Sequence, residues 1–175
     1  MVGTIEPRKC HELALDAMEI LWTRGSDICL VLVGKKGWLV DKLWRRINQH
    51  PLLSKKLYLF EAASDSELSY LYQNAKGLLM LSRGEGFGLP LIEAAKFGTP
   101  ILCSDLPVFR EVCGDNAYYA NTFNPKELSL LITSWIVRTA AEKTKNIVDS
   151  SKISYLSWSQ SADNLLNVIL GAKWL

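Results

Sequence analysis

Short, uninterrupted apolar runs alternate with longer amphipathic stretches along most of the chain. The runs are VGTI (2–5), ICLVLV (28–33), LYLF (57–60), LLML (78–81), ILC (101–103) and AYYA (117–120). They carry no alternating polar face, which predicts strands buried on both sides, as in a parallel sheet. Between them lie segments of helical period. HELALDAMEILW (11–22) brings Leu13, Ala17, Ile20 and Leu21 near one face, and Leu39, Leu43 and Ile47 predict a second helix at spacing four. Ser64 and Glu67 form a capping box that starts a helix running to about Asn74. A short helix is expected near Pro107–Val112. Asn124 ahead of Pro125, with Glu127 behind it, starts another that should reach about Arg138, with more helix from Ala140 into the 150s. Ser157 and Gln160 form a further box opening a last helix that ends near Leu170. Strands alternating with helices imply an α/β fold, a parallel sheet with helices on both faces.

Composition narrows this picture. The 175 residues fit one domain, and 49% apolar content allows a sizeable core. A net charge of +2 is too balanced to imply nucleic acid or an anionic membrane as partner, so any bound anion must be met by local groups. Cys10, Cys29, Cys103 and Cys113 form no C-x-x-C pair and share no metal spacing with His11 and His50, so no metal site is expected. Cys29 and Cys103 lie in apolar runs and read as small buried hydrophobes. A reducing, cytoplasmic setting follows, and neither a leader peptide nor a membrane-spanning run is visible.

The chemistry concentrates in SRGEGFGLPLIEAA (82–95), which follows the fourth apolar run. Ligands of open α/β sheets bind beyond the carboxyl ends of the strands. Gly84, Gly86 and Gly88 allow a sharp turn and a close ligand approach. Pro90 suits a first helical turn, so a helix should begin at Leu89–Pro90. The amides of Phe87, Gly88 and Leu89 would then face outward at a positive helix end, a ready anion site. Glu85 lies in the loop and Glu93 about one turn into the helix. Carboxylates are poor phosphate ligands but good acceptors for sugar hydroxyls, so the combination predicts a sugar nucleotide. On spacing alone, a plain glycine turn followed by a dipole-stabilised acid describes the same residues.

E-G-F-G-L-P-L-I-E at 85–93 resembles the E-x7-E signature of the group 1 (family 4) glycosyltransferases. G-T-I-E-P-R-K (3–9), V-G-K-K-G (33–37), S-D-S-E-L (64–68), P-I-L-C-S-D (100–105), P-V-F-R-E-V (107–112) and S-W (157–158) also resemble that family, in order. The finer resemblance is to members that transfer mannose onto surface polysaccharides. The resemblance implies the C-terminal, donor-binding half of a GT-B fold: a single Rossmann-like nucleotide-sugar-binding domain over 1–175, with a core at 1–156 and a C-terminal helical segment at 157–175 that leans toward an N-terminal domain. That domain, which would bind the acceptor and provide any peripheral membrane contact, is expected to be missing, leaving the isolated chain inactive and the apolar face of the last helix partly bare.

By the same resemblance the chain is one half of a retaining hexosyltransferase using a GDP- or UDP-linked donor without a metal or other cofactor. Glu85 would meet hydroxyls of the donor sugar and Glu93 the ribose. Gly86, Phe87, Gly88 and Leu89 would receive the sugar and diphosphate, and Arg8 and Lys9 would clamp the diphosphate. A fork and a point charge suit that task, and fixed cations stabilise charge growing on a leaving diphosphate. Cys10 stands where the family usually has Asn, which is expected to act only locally. Lys35 and Lys36 lie on the same sheet edge and read as loop decoration or as nucleotide contacts, and Phe60–Ala63 lies where family backbones meet the base. Asp105, Arg110 and Glu111 read as caps and surface pairs. Neither His11, expected half-exposed on its helix, nor His50 reads as catalytic. Trp22, Trp38, Trp44, Trp135, Trp158 and Trp174 read as core or interface. A GT-B epimerase or phosphorylase relative and a non-catalytic interaction module remain the alternatives.

Overall fold

Five of the six apolar runs become parallel strands in the computed structural model of the chain, which describes residues 1–142 and 148–171. The strands are β1 (Leu30–Val33), β2 (Leu57–Phe60), β3 (Leu78–Met80), β4 (Ile101–Ser104) and β5 (Tyr118–Ala120). The helices are α1 (His11–Thr23), α2 (Asp41–Asn48), α3 (Asp65–Asn74), α4 (Leu89–Lys96), α5 (Pro107–Cys113), α6 (Pro125–Glu142) and α7 (Trp158–Gly171). β1 pairs with β2 in parallel, and β3, β4 and β5 pair in that order, also in parallel. The α/β architecture with helices on both faces is as the sequence pattern predicts.

Alternate residues of the strands feed two cores. Leu79, Leu81, Leu102 and Ala120 pack with α1 and α6, while Leu78, Met80, Ile101 and Cys103 pack with α4 and α5 on the opposite face. Burial on both faces is why these strands show no polar alternation. Both capping boxes close as expected. The Ser64 hydroxyl accepts from the Glu67 amide and the Glu67 carboxylate accepts from the Ser64 amide. Ser157 and Gln160 exchange the same two bonds. Asn124 Oδ1 accepts from the amides of Lys126 and Glu127 at the start of α6.

Four expectations are corrected. The run at 2–5 forms isolated parallel bridges, Val2 to Val33 and Ile5 to Lys36, and no regular strand, because on one side only does it meet a ladder partner. Leu39 lies outside α2 in a left-handed turn (φ 51°) and is exposed; Val40, Leu43 and Ile47 supply the buried face instead. Cys29 precedes β1 and is exposed. The helix expected beyond Ala140 is the last turn of α6 followed, past the undescribed residues 143–147, by a 3₁₀ turn at Ser150–Lys152. Trp174 lies outside the described residues. The bare face of α7 is present: Trp158, Leu165, Leu166, Ile169 and Leu170 are all exposed. No described helix is long and apolar enough to cross a membrane.

Candidate functional site

The loop from Ser82 to Gly88 leaves the carboxyl end of β3 and is stitched to the start of the chain. The Arg83 amide donates to the Arg8 carbonyl at 2.8 Å, and the Arg8 guanidinium donates to the Gly84 carbonyl at 3.0 Å. Arg8 and Lys9 sit in a 3₁₀ turn, Pro7–Lys9, that precedes α1. Cys10 joins the two helices in a left-handed conformation, φ 55°. Asn tolerates that region better than Cys, so the departure at position 10 places backbone strain beside Lys9.

Only one of the three loop glycines turns left-handed. Gly88 caps α4 with φ 98°, and Leu89 and Pro90 open the helix. A Cβ there would lie 3.0 Å from both Leu91 Cδ1 and Phe109 Cε1. Gly84 and Gly86 face open space, so their missing side chains leave room beside the helix end and do not serve the turn. Among the described residues, no protein group accepts from the amides of Phe87, Gly88 or Leu89. These amides are left open at the positive end of α4, the arrangement that an anion site requires.

Glu85 is drawn into a charge cluster that spacing did not reveal. Its Oε1 lies 2.5 Å from Lys9 Nζ and its Oε2 lies 2.7 Å from Arg8. The Ser82 hydroxyl, buried at the end of β3, donates to Oε1 at 2.7 Å. Glu6 pairs with Arg8 at 2.6 Å and accepts from the indole of Trp38 at 3.0 Å, which puts exposed Trp38 on the rim of the site. Burial pushes the Glu85 carboxyl up, but hydrogen bonds from Lys9, Arg8 and Ser82 outweigh it and hold the group below the usual range. The same pairing with Glu85 raises Arg8.

Glu93 projects from the second turn of α4 and accepts from the Tyr72 hydroxyl at 2.8 Å. Tyr72 is buried and its carbonyl accepts from Thr99, so α3, α4 and the loop before β4 fix one oxygen of Glu93. Burial and then the charge of Glu93 push the phenol far up, so it stays protonated and donates. Tyr72→Phe is expected to weaken any ligand held by Glu93 about tenfold, near the strength of a charge-assisted hydrogen bond, with a Tm change of only a few degrees. Calorimetric titration checks it; unchanged affinity would make the bond purely structural.

The remaining candidates divide. Lys36 pairs with Asp41 at 2.5 Å, and Lys35 is exposed nearby. Phe60 is exposed at the end of β2, and Glu61 and Ala62 follow it on the surface. Asp105 receives two bonds from Arg110, at 2.6 and 3.0 Å, the surface pair expected. His11 is corrected: it is 2% exposed, its Nδ1 has no partner among the described residues, and burial, then the amino terminus and Lys9, push it down to about 3. His50 bonds Glu19 and the Leu52 amide, away from the loop. Trp22 and Trp135 are core, whereas Trp38 and Trp158 are exposed. Among the described residues no group of three His, Cys, Asp or Glu is placed to hold a metal. Tyr72, Ser82, Glu6 and Trp38 were missed by sequence reasoning. Serine immediately before the Gly-rich loop was the one local signal that could have marked any of them.

The family model for glycosyl transferases group 1 matches residues 1–154. The serotype-specific mannosyltransferase WbdA of Escherichia coli is 42% identical over 166 residues, 95% of this chain but 20% of WbdA. The chain thus spans about a fifth of the length of those relatives. Among solved structures, the pneumococcal O-GlcNAc transferase GtfA in complex with UDP and GlcNAc superposes with a TM-score of 0.65 at 21% identity, covering 84% of this chain and 30% of GtfA. The catalytic domain of the Helicobacter pylori cholesterol-alpha-glucosyltransferase does so with 0.65 at 20% identity, covering 82% and 87%. The chain belongs to the group 1 glycosyltransferases, and its fold is that of a GT-B domain.

Proposed function

We propose that this group 1 domain holds the nucleotide half of a sugar-nucleotide donor for a retaining hexosyl transfer, with mannose as the sugar. The observation that carries the reading is the meeting of Arg8, Lys9 and Glu85 beside the open amides of Phe87, Gly88 and Leu89, with Glu93 one turn further along α4. The diphosphate would take the amides and the two cations, and Glu93 would accept from ribose hydroxyls. Glu85, at the junction of the cations and the loop, would accept from the sugar. As the anomeric bond breaks, charge gathers on the diphosphate, where Arg8 and Lys9 already stand. Those cations supply the charge a divalent metal would otherwise bring, so the reading needs none. The mannose assignment is supported by the likeness to WbdA, a mannosyltransferase, and the use of a nucleotide by the UDP complex of GtfA.

The acceptor site and part of the chemistry belong, in this reading, to an N-terminal domain in a cytoplasmic enzyme. The segment 1–156 is the donor core and 157–175 the helix that leans on that domain. Titration of the chain with GDP, UDP, ADP and their sugar conjugates, alongside Glu93→Ala, tests the reading. One nucleotide should bind, and Glu93→Ala should weaken it at least about thirtyfold by removing an acceptor for two hydroxyls. Binding indifferent to Glu93→Ala would move the ribose elsewhere. No binding to the chain or to a longer protein that contains it would leave an interaction module. Release of free epimerised sugar would favour an epimerase.

A further inference from the structure

Trp38 is 58% exposed at the rim of the site, yet its place is closely fixed. The loop that follows β1 is laced to the segment ahead of Arg8. The Ile5 amide donates to the Lys35 carbonyl and the Gly37 amide to the Ile5 carbonyl, both at 2.9 Å. Only glycine permits that approach, because a Cβ on Gly37 would lie 2.6 Å from the Ile5 carbonyl oxygen. On the other side of Trp38, Leu39 turns left-handed with φ 51°, a costly conformation for leucine. The Leu39 side chain is 80% exposed, so no core packing offsets the strain. Its effect is to turn the chain from Trp38 into α2, where Val40 is buried again. Strain kept at an exposed residue marks presentation of a neighbour more than stability.

The edge of the indole is engaged and its ring is not. The indole N–H donates to Glu6, but among the described residues no ring or cation lies on Trp38. By contrast Arg83 covers the ring of Phe123 at 4.5 Å and Arg110 that of Tyr119 at 3.6 Å. Glu6 joins Trp38 to the charge cluster. One carboxylate oxygen takes the indole, the other meets Arg8 Nε, and Arg8 Nη1 meets Glu85, so three polar contacts link the ring to Glu85. Glu93 belongs to the other side. It rises from α4, which packs with Tyr72 on one face of the sheet, whereas the loop of Trp38 runs into α2, whose Leu43 and Ile47 pack on the opposite face.

We propose that Trp38 is a platform for a pyranose ring, stacked beside the sugar position at Glu85. The inference rests on the donor-site reading for that position. One face of a pyranose presents carbon-bound hydrogens, apolar and slightly positive, which suit the negative face of an indole. The hydroxyls at the rim of the sugar stay in water or meet carboxylates. Glu6 and the laced loop hold the indole in one orientation, which removes much of the ordering cost of binding. A nucleobase also stacks on aromatics, but in the donor-site reading it continues from the ribose at Glu93, on the α4 side. Two sources supply a pyranose at Trp38: the sugar carried by the donor and the terminal sugar of the acceptor.

The test follows the Trp38 indole N–H and the Gly37 and Leu39 amides by NMR in the chain, in Trp38→Ala and in Trp38→Phe. α-Linked mannobiose is added without nucleotide, and GDP is compared with GDP-mannose. Both variants should keep Tm within about 2 °C, since the side chain is exposed. Mannobiose should shift these signals with millimolar affinity; Trp38→Ala should weaken it at least about fivefold and Trp38→Phe less than about twofold. That result upholds the platform and assigns the ring to the acceptor. A preference for GDP-mannose over GDP that Trp38→Ala removes and Trp38→Phe keeps upholds it with the ring assigned to the donor. Phenylalanine retains a stacking face but cannot bond Glu6, so equal losses in both variants overturn the proposal in favour of an effect through Glu6 and Arg8. Equal weakening of GDP and GDP-mannose by Trp38→Ala also overturns it, since a base then sits on the ring. So does a lack of response to Trp38→Ala in both sugar probes. GDP binding without such a response removes the platform and leaves the donor site; mannobiose binding at Trp38 without any nucleotide binding does the reverse.

Discussion

Replacing Arg8 and Lys9 together by alanine is expected to weaken binding of a nucleoside diphosphate by about a hundredfold or more, the loss of two charge-assisted contacts to phosphate. The same change strands Glu85, whose side chain is only 8% exposed. A buried carboxylate deprived of its partners is destabilising, so loss of binding could follow from a distorted loop alone. Adding Glu85→Gln separates the two effects. The triple variant should regain most of the lost Tm and none of the lost affinity. A triple variant that binds like the unaltered chain would reduce Arg8 and Lys9 to structural partners of Glu85. The pH dependence carries a second check. In the unaltered chain Glu85 is held below its unfolded value of 4.5. Its contribution to stability is therefore full above about pH 4.5 and fades as the pH falls through the lower folded value. In the double variant the Ser82 hydroxyl alone opposes burial, so the folded value is expected to rise above the unfolded one and the sign to reverse. The stability deficit against the unaltered chain should then be largest at neutral pH and shrink on acidification, which thermal unfolding from pH 4 to 7 would read.

Gly88→Ala should lower Tm by about 5–10 °C and remove nucleotide binding, whereas Gly84→Ala and Gly86→Ala should leave Tm within about 2 °C. The distinction comes from geometry. Gly88 has φ 98° and its added Cβ would press on Leu91 and Phe109, a strained conformation in a closed space, worth about 2–3 kcal/mol. Relief requires Leu89 and the first amides of α4 to shift, which dissolves the anion site. Gly84 and Gly86 have neither constraint in the free chain. Any affinity lost in their alanine variants would report the ligand's own approach to the loop. Unchanged stability in Gly88→Ala would mean that the α4 terminus is more plastic than its packing implies.

How much of the site was legible varies residue by residue. Gly88, Leu89 and Pro90 announce a helix terminus because backbone conformation is written in residue type: one glycine for the left-handed turn, one proline for the first turn. The place of Arg8 and Lys9 could not be read from spacing, since the ion pair with Glu85 joins positions more than seventy residues apart. Only the likeness to a family put the three together. Tyr72 looked like any aromatic on a helix face, and nothing local says that its hydroxyl meets Glu93. His11 was misjudged for the opposite reason: a histidine at a helix start was expected to be half-exposed, but it is 2% exposed, close to the amino terminus and Lys9.

The sequence by itself determined the α/β class, the parallel strands, the capped starts of α3, α6 and α7, and the turn into α4, because each rests on backbone preferences and periodicities spanning a few residues. Tertiary structure alone decided which charges neutralise Glu85, which hydroxyl steadies Glu93 and where the sheet stays open. The run at 2–5 shows the divide. Its residues have the pattern of a buried strand, yet a strand exists only through hydrogen bonds to neighbours, and on one side of this segment the ladder is incomplete.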